Sequence, residues 1–232
     1  MASPQDAHAH AVTRRLLTAG ALAGPLFVAV FTVAGSLRPD YDQLRHPVSS
    51  LALTGAGWVQ IANFLVAGAL ILALAVGMRR SALLAGRARA AAWLVGAAGA
   101  GLLGSGAFVT DPVSGYPPGA PDAIEYTPVG AVHDAAALPI FFGLPAACVV
   151  LAVWALRARR PLLGVYSLLS AVAGVILLQV SSMGFQQDPA VVDVAGLYQR
   201  ATIAVLLGWT TVVALVLLRA EPAGRREGAA QG

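Results

Sequence analysis

Lysine is absent from this chain of 232 residues, whose fifteen basic residues are all arginine. Charge of either sign is sparse, at 11% of residues against about a quarter in soluble domains, while 58% are hydrophobic. With a mean hydropathy of +0.74, that balance excludes an ordinary water-soluble domain. The length suits one compact helical membrane domain and leaves no room for an added soluble domain of normal size. The lone cysteine, Cys148, lies in an apolar run, which excludes a disulfide framework. Four histidines (His8 and His10 near the start, then His46 and His133) are too few and too scattered for a metal set, and no metal or cofactor is expected. Phosphate-cradling glycine loops, haem attachment motifs and dinucleotide fingerprints are also missing. The sequence pI of 9.8 does not imply nucleic acid, because the arginines sit in short clusters beside apolar runs, as membrane topology demands.

What is present is a series of long apolar stretches. Spans are expected over 16–37, 58–78, 90–109, 129–156, 162–185 and 196–218, each long enough to cross a core of about 30 Å at about 1.5 Å per residue. Thr13-Arg14-Arg15-Leu16-Leu17 resembles a twin-arginine export signal, but the apolar run behind it is long enough to be a first span. The segments 1–13 and 220–232 read as disordered tails flanking a six-helix domain over 14–219. Twelve of the fifteen arginines fall at alternate ends of the spans, leaving Arg38, Arg45 and Arg200 at the others. The positive-inside rule then places both termini in the cytoplasm of a multi-pass cell (inner) membrane protein and makes three hairpins face outward. The fold class expected is therefore all-α and polytopic.

Eight of the eleven acidic residues lie on the outward side, in the longer loops. Long loops on one face of a compact domain are more often functional than short ones. Two echoes mark the same side. Phe108-Val109-Thr110-Asp111-Pro112 recurs as Phe185-Gln186-Gln187-Asp188-Pro189, and Gly130-x-x-His133-x-Ala135 recurs from Gly57 with Gln60 and from Gly196 with Gln199. Inside the membrane, Gly20-x-x-x-Gly24 presents small residues for close helix approach. Pro139 and Pro145 are expected to disturb the fourth span.

The strongest polar signal is His133-Asp134 at the start of that span, since ionisable residues at membrane depth usually face the bundle interior. His133, Asp134 and Asp111 are the candidate acid, base or nucleophile-orienting groups. His46, Ser49, Gln60, Asn63, Asp188, Gln199 and Arg200 are candidate binding residues. In Leu44-Arg45-His46-Pro47-Val48-Ser49-Ser50-Leu51, one reading has Ser49 or Ser50 capping a short interfacial helix. The other has His46 and a serine meeting Asp111 and His133 over the bundle mouth. Arg200, at a helix start where the dipole disfavours it, calls for Asp111, Asp134 or Asp188 as a lock, or else for a lipid phosphate.

Taken together, Arg45-His46-Pro47-Val48-Ser49-Ser50-Leu51, Gln60-x-x-Asn63-Phe64, Thr110-Asp111-Pro112, His133 and Tyr198-Gln199-Arg200 resemble the bacterial membrane family called domain of unknown function 998, over roughly residues 16–218. Its usual H-P-I-S-E-L pattern carries a glutamate where Ser50 stands here. The resemblance implies a six-helix membrane protein with no assigned activity. Three functions stay open: a binder of membrane lipids or a partner at an acidic outer vestibule, an enzyme acting on a lipid or isoprenoid with His133 and Asp111 or Asp134 as acid and base, and a small transporter. Apolar cytoplasmic halves of the helices weigh against the last.

Overall fold

A computed structural model describes residues 4–221. Six helices carry it: α1 (Pro4–Leu37), α2 (Trp58–Arg80), α3 (Arg89–Ala107), α4 (Pro128–Arg157), α5 (Pro161–Phe185) and α6 (Ala195–Ala220). All six are long and apolar enough to cross a membrane. Helices are the natural answer there, because no water is present to satisfy backbone groups left unpaired in hydrocarbon. Pro128 and Pro161 open α4 and α5, at first-turn positions where their missing N–H costs nothing.

Each helix packs on its neighbours in chain order, and α6 returns to α1, so the six form a closed ring. Small residues set the closest approaches. A Cβ at Gly20 would stand 2.4 Å from the Leu74 Cβ, and one at Gly24 would stand 2.6 Å from the Leu207 carbonyl oxygen. The Gly20-x-x-x-Gly24 face thus joins α1 to α2 and to α6, as small residues in membrane helices do.

The ring departs from regularity in α4. Pro139–Gly143 is a π-helical turn between α-helical stretches Pro128–Leu138 and Leu144–Arg157. A proline cannot donate to the i→i−4 ladder, and a widened turn absorbs the misfit. The two halves of α4 then behave differently. Leu144–Arg157 packs along α5, whereas no Cα of Pro128–Leu138 comes within 8 Å of one in α5.

The two ends of the ring differ as well. One carries the three longer connections, over 38–57, 108–127 and 186–194; the other carries both described termini and the two short connections. The expected tail at 1–13 is corrected here: from Pro4 onward it continues α1. Arg14 donates to the Leu218 and Glu221 carbonyls, each at 3.0 Å, satisfying acceptors that the end of α6 leaves open. Glu221, assigned to the other tail, is buried and accepts from the Ser81 hydroxyl at 2.6 Å, with His10 at 3.4 Å from its other oxygen. The rest of that tail, 222–232, lies outside the described residues.

Candidate functional site

The loop end is held by an inner and an outer layer. In the outer one Arg45 bridges all three connections, reaching Asp122 at 3.0 Å, Asp193 at 2.8 Å and the Ser114 carbonyl at 3.3 Å. In the inner one Tyr41, His46 and Tyr116 pack together in edge-to-face and tilted contacts, with ring centroids 5.1–5.4 Å apart. The Asp42 N–H donates to His46 Nδ1 at 2.9 Å. Burial, aided by nearby Arg45, holds the His46 pKa below its usual value despite Asp42. His46 is therefore a neutral packing element of the loop.

Arg200 completes this layer without the aspartate expected of it. Its Nη1 donates to the His46 carbonyl at 2.9 Å and to the Gly196 carbonyl at 3.0 Å, while Nη2 donates to the Tyr41 hydroxyl. That hydroxyl in turn donates to the Pro47 carbonyl at 2.8 Å. Burial outweighs the opposing guanidinium and pushes the Tyr41 pKa up to about 12. Among the described residues Arg200 has no ion pair with Asp111, Asp134 or Asp188, so the expected arginine–aspartate lock is replaced by a clamp on loop carbonyls.

Asp111 is likewise committed. Its carboxylate, buried beneath the loop, accepts from the Thr127 N–H and hydroxyl, both at 2.7 Å. Thr127 is the N-cap of α4, and its oxygen accepts from the Gly130 N–H at 3.1 Å. The negative charge thus sits at the positive end of the helix. It sits so close that a Cβ at Gly130 would fall 2.0 Å from Asp111 Oδ2. The other two echo glycines meet similar intrusions, from the Ala52 carbonyl at Gly57 and the His46 carbonyl at Gly196. The repeated glycine is therefore where a loop acceptor presses on a helix start.

Behind these layers the ring encloses a cavity of about 80 Å³, lined by Phe27, Phe64, Ser105, His133, Asp134 and Gln199 among others. His133 Nδ1 lies 2.8 Å from the Phe108 carbonyl and 3.1 Å from the Ser105 carbonyl. Both are acceptors, so Nδ1 carries a proton, and in the neutral ring Nε2 is the acceptor. The Ser105 hydroxyl, on the same cavity wall, is buried without a partner. Gln199 turns its oxygen to the Val48 N–H at 2.7 Å and pins the His46–Ala52 segment across the ring. That segment does contain a short 3-10 helix, Val48–Ala52, but its N-cap is Pro47 rather than either serine.

A second cavity, of about 300 Å³, lies between the separated parts of α4 and α5, under the loop residues Ile124 and Tyr126. Leu138 and Phe142 line it from α4, and Leu178, Ser182 and Phe185 from α5. Ser49, Asp134, Ala137, Phe141 and Gln199 line both cavities, so the two meet at these residues. Asp134 is half-buried there, with Tyr126 on the wall of the same cavity.

The candidate residues thus divide. Ser49, His133, Asp134 and Gln199 come together at the cavities. Gln60 and Asn63 lie between α1 and α2, where Asn63 donates to the Phe27 carbonyl at 3.1 Å and to Gln60 at 3.3 Å. Asp188 caps its own turn through the Ala190 N–H at 2.9 Å. No two of His46, Asp111 and His133 are hydrogen-bonded to each other, so the loop triad is not assembled. Arg45 escaped the site reading because its partners lie 69 to 148 residues away in sequence.

Fold and site together define a helical membrane-type protein with a side cavity that runs to a polar centre. The family described as protein of unknown function DUF998 matches residues 21–216. The chain belongs to that family. No curated protein and no solved structure matches it.

Proposed function

We propose that this protein sits in the cell membrane with both termini in the cytoplasm and binds a lipid-like amphiphile between α4 and α5, on the outward face. The arginine bias supports the orientation. One observation carries the binding reading: the first half of α4 stands away from α5, and the gap leads from apolar side chains facing the bilayer to a carboxylate, a histidine and an amide at the ring centre. A ligand arriving through the bilayer can enter sideways, keep its chain among Leu138, Phe142, Leu178 and Phe185, and bring its head to Asp134. The larger cavity falls at the low end of the ~300–1,000 Å³ usual for small-molecule sites, so it suits a head and the first part of a chain.

Native mass spectrometry of the detergent-purified protein tests this. The wild-type chain retains one lipid-mass adduct, and Ser182→Trp, which fills the gap, loses it without losing its fold. Equal retention by both proteins overturns the reading.

A further inference from the structure

Resting on the binding site just proposed, we infer that the head group it takes is a protonated amine on a single-chain amphiphile, and not a phosphate. The argument starts from charge. Asp134 contributes a carboxylate where the two cavities meet, with Tyr126 on the same cavity wall and no ion pair to any described residue. No arginine lines either cavity.

The arginines at this end are also spent. Arg38 is held by the Leu51 and Leu53 carbonyls and Thr54, Arg45 by Asp122 and Asp193, and Arg200 by carbonyls and Tyr41, its one unpartnered nitrogen, Nε, being buried away from both cavities. A helix N-terminus would ordinarily attract an anion. Here the start of α4 is already taken by the Asp111 carboxylate, which adds a second negative charge near the mouth. With three arginines against eight acidic residues at this end, a difference of −5, a phosphate head would enter an unfavourable field and meet only neutral donors, such as the Ser49 hydroxyl and the Gln199 amide, with no cation beside them.

The remaining polar groups ask for a donor. With its Nδ1 proton tied to two carbonyls, the neutral His133 ring offers Nε2 as an acceptor, and the buried Ser105 oxygen has no protein partner. An ammonium offers three N–H donors and a positive charge. One can meet the Asp134 carboxylate and the others the neutral acceptors around it. A hydroxyl head supplies a single donor and no charge. Away from bulk water, charge-assisted hydrogen bonds are the strong ones, so the amine is favoured.

The test uses the full chain in detergent and three photoreactive probes sharing one alkyl chain: a long-chain amine, the matched alcohol and the matched alkyl phosphate. The expected result is amine labelling of peptides from α4 and α5 at roughly tenfold lower concentration than the alcohol, the scale of one charge-assisted hydrogen bond. Alkyl phosphate should label weakest. Asp134→Asn, which preserves shape, should bring amine labelling down to the alcohol's level while alcohol labelling persists, so the alcohol serves as the folding control. Should that variant fail to accumulate, competition among the three probes on the wild-type chain decides. Equal amine and alcohol labelling, or strongest labelling by alkyl phosphate, overturns the head-group inference and leaves the binding site standing. Absence of labelling at α4 and α5 by all three overturns the binding site itself.

Discussion

Gly130→Ala is the sharpest test of how the mouth of the site is built. The new Cβ would lie 2.0 Å from Asp111 Oδ2 and 2.2 Å from its Cγ, where real Cβ contacts essentially never fall under 3.0 Å. The carboxylate must retreat by about an ångström, a step that takes it out of hydrogen-bond range of the Thr127 N–H and hydroxyl, now at 2.7 Å. Hydrogen bonds to a charged group contribute about 1.5–3 kcal/mol each. Set against this, alanine improves helix propensity over glycine by up to ~1 kcal/mol. With two such bonds lost, the net expectation is a loss of about 2–5 kcal/mol. Denaturant unfolding in detergent, followed by tryptophan fluorescence, reads it. Gly208→Ala is the control, because nothing lies within 4 Å of the added Cβ there, and it should be neutral or slightly stabilising. Equal midpoints for the two variants would refute the reasoning. Asp111→Asn should fall between them, since the amide keeps an acceptor and loses the charge.

Four further outcomes follow from other parts of the structure. Arg200→Ala removes the strongest donor to the buried His46 carbonyl and the Nη2 bond to Tyr41, and should cost about 1.5–3 kcal/mol; Arg200→Lys should not rescue it, because lysine cannot reproduce the fork that spans the His46 and Gly196 carbonyls and Tyr41. Arg45→Ala removes two solvent-exposed ion pairs, each worth at most ~1 kcal/mol, and should raise protease cleavage in 38–57 at low salt more than at high salt. His46 has a folded pKa below its unfolded value of 6.5, so its contribution to stability is complete above about pH 6.5 and lost as pH falls through the folded pKa. Stability measured from pH 7.5 to 5 should therefore drop more for the wild type than for His46→Gln. Finally, Asp188→Cys should react with a membrane-impermeant maleimide on intact cells or spheroplasts, while the wild type, whose Cys148 is fully buried, should not; labelling only after lysis would reverse the proposed orientation.

The six spans and their order were legible because hydropathy over some twenty residues is a strong local signal. Ring closure was not, since the α1–α6 contact turns on which face each helix presents to a partner almost two hundred residues away. The gap at α4 was half legible. Pro139 announced a disturbance, but a π turn that lets half of α4 leave α5 depends on what packs around it. At the site, Asp111 looked like a partner for His133 because the two share a neighbourhood in sequence. Thr127-Pro128 was the overlooked clue: a capping residue followed by a first-turn proline marks a helix start that needs an acceptor nearby. Arg200 was rightly read as needing partners, yet backbone carbonyls carry no sequence signature, so charged candidates took their place.

Photolabelling with a diazirine-bearing lipid, mapped residue by residue, tests the lateral binding site most directly. Adducts concentrated on Leu138, Phe142, Leu178 and Phe185, and abolished by Ser182→Trp, are the predicted result. Adducts spread evenly over the exposed apolar faces of all six helices, and unchanged in that variant, would contradict it.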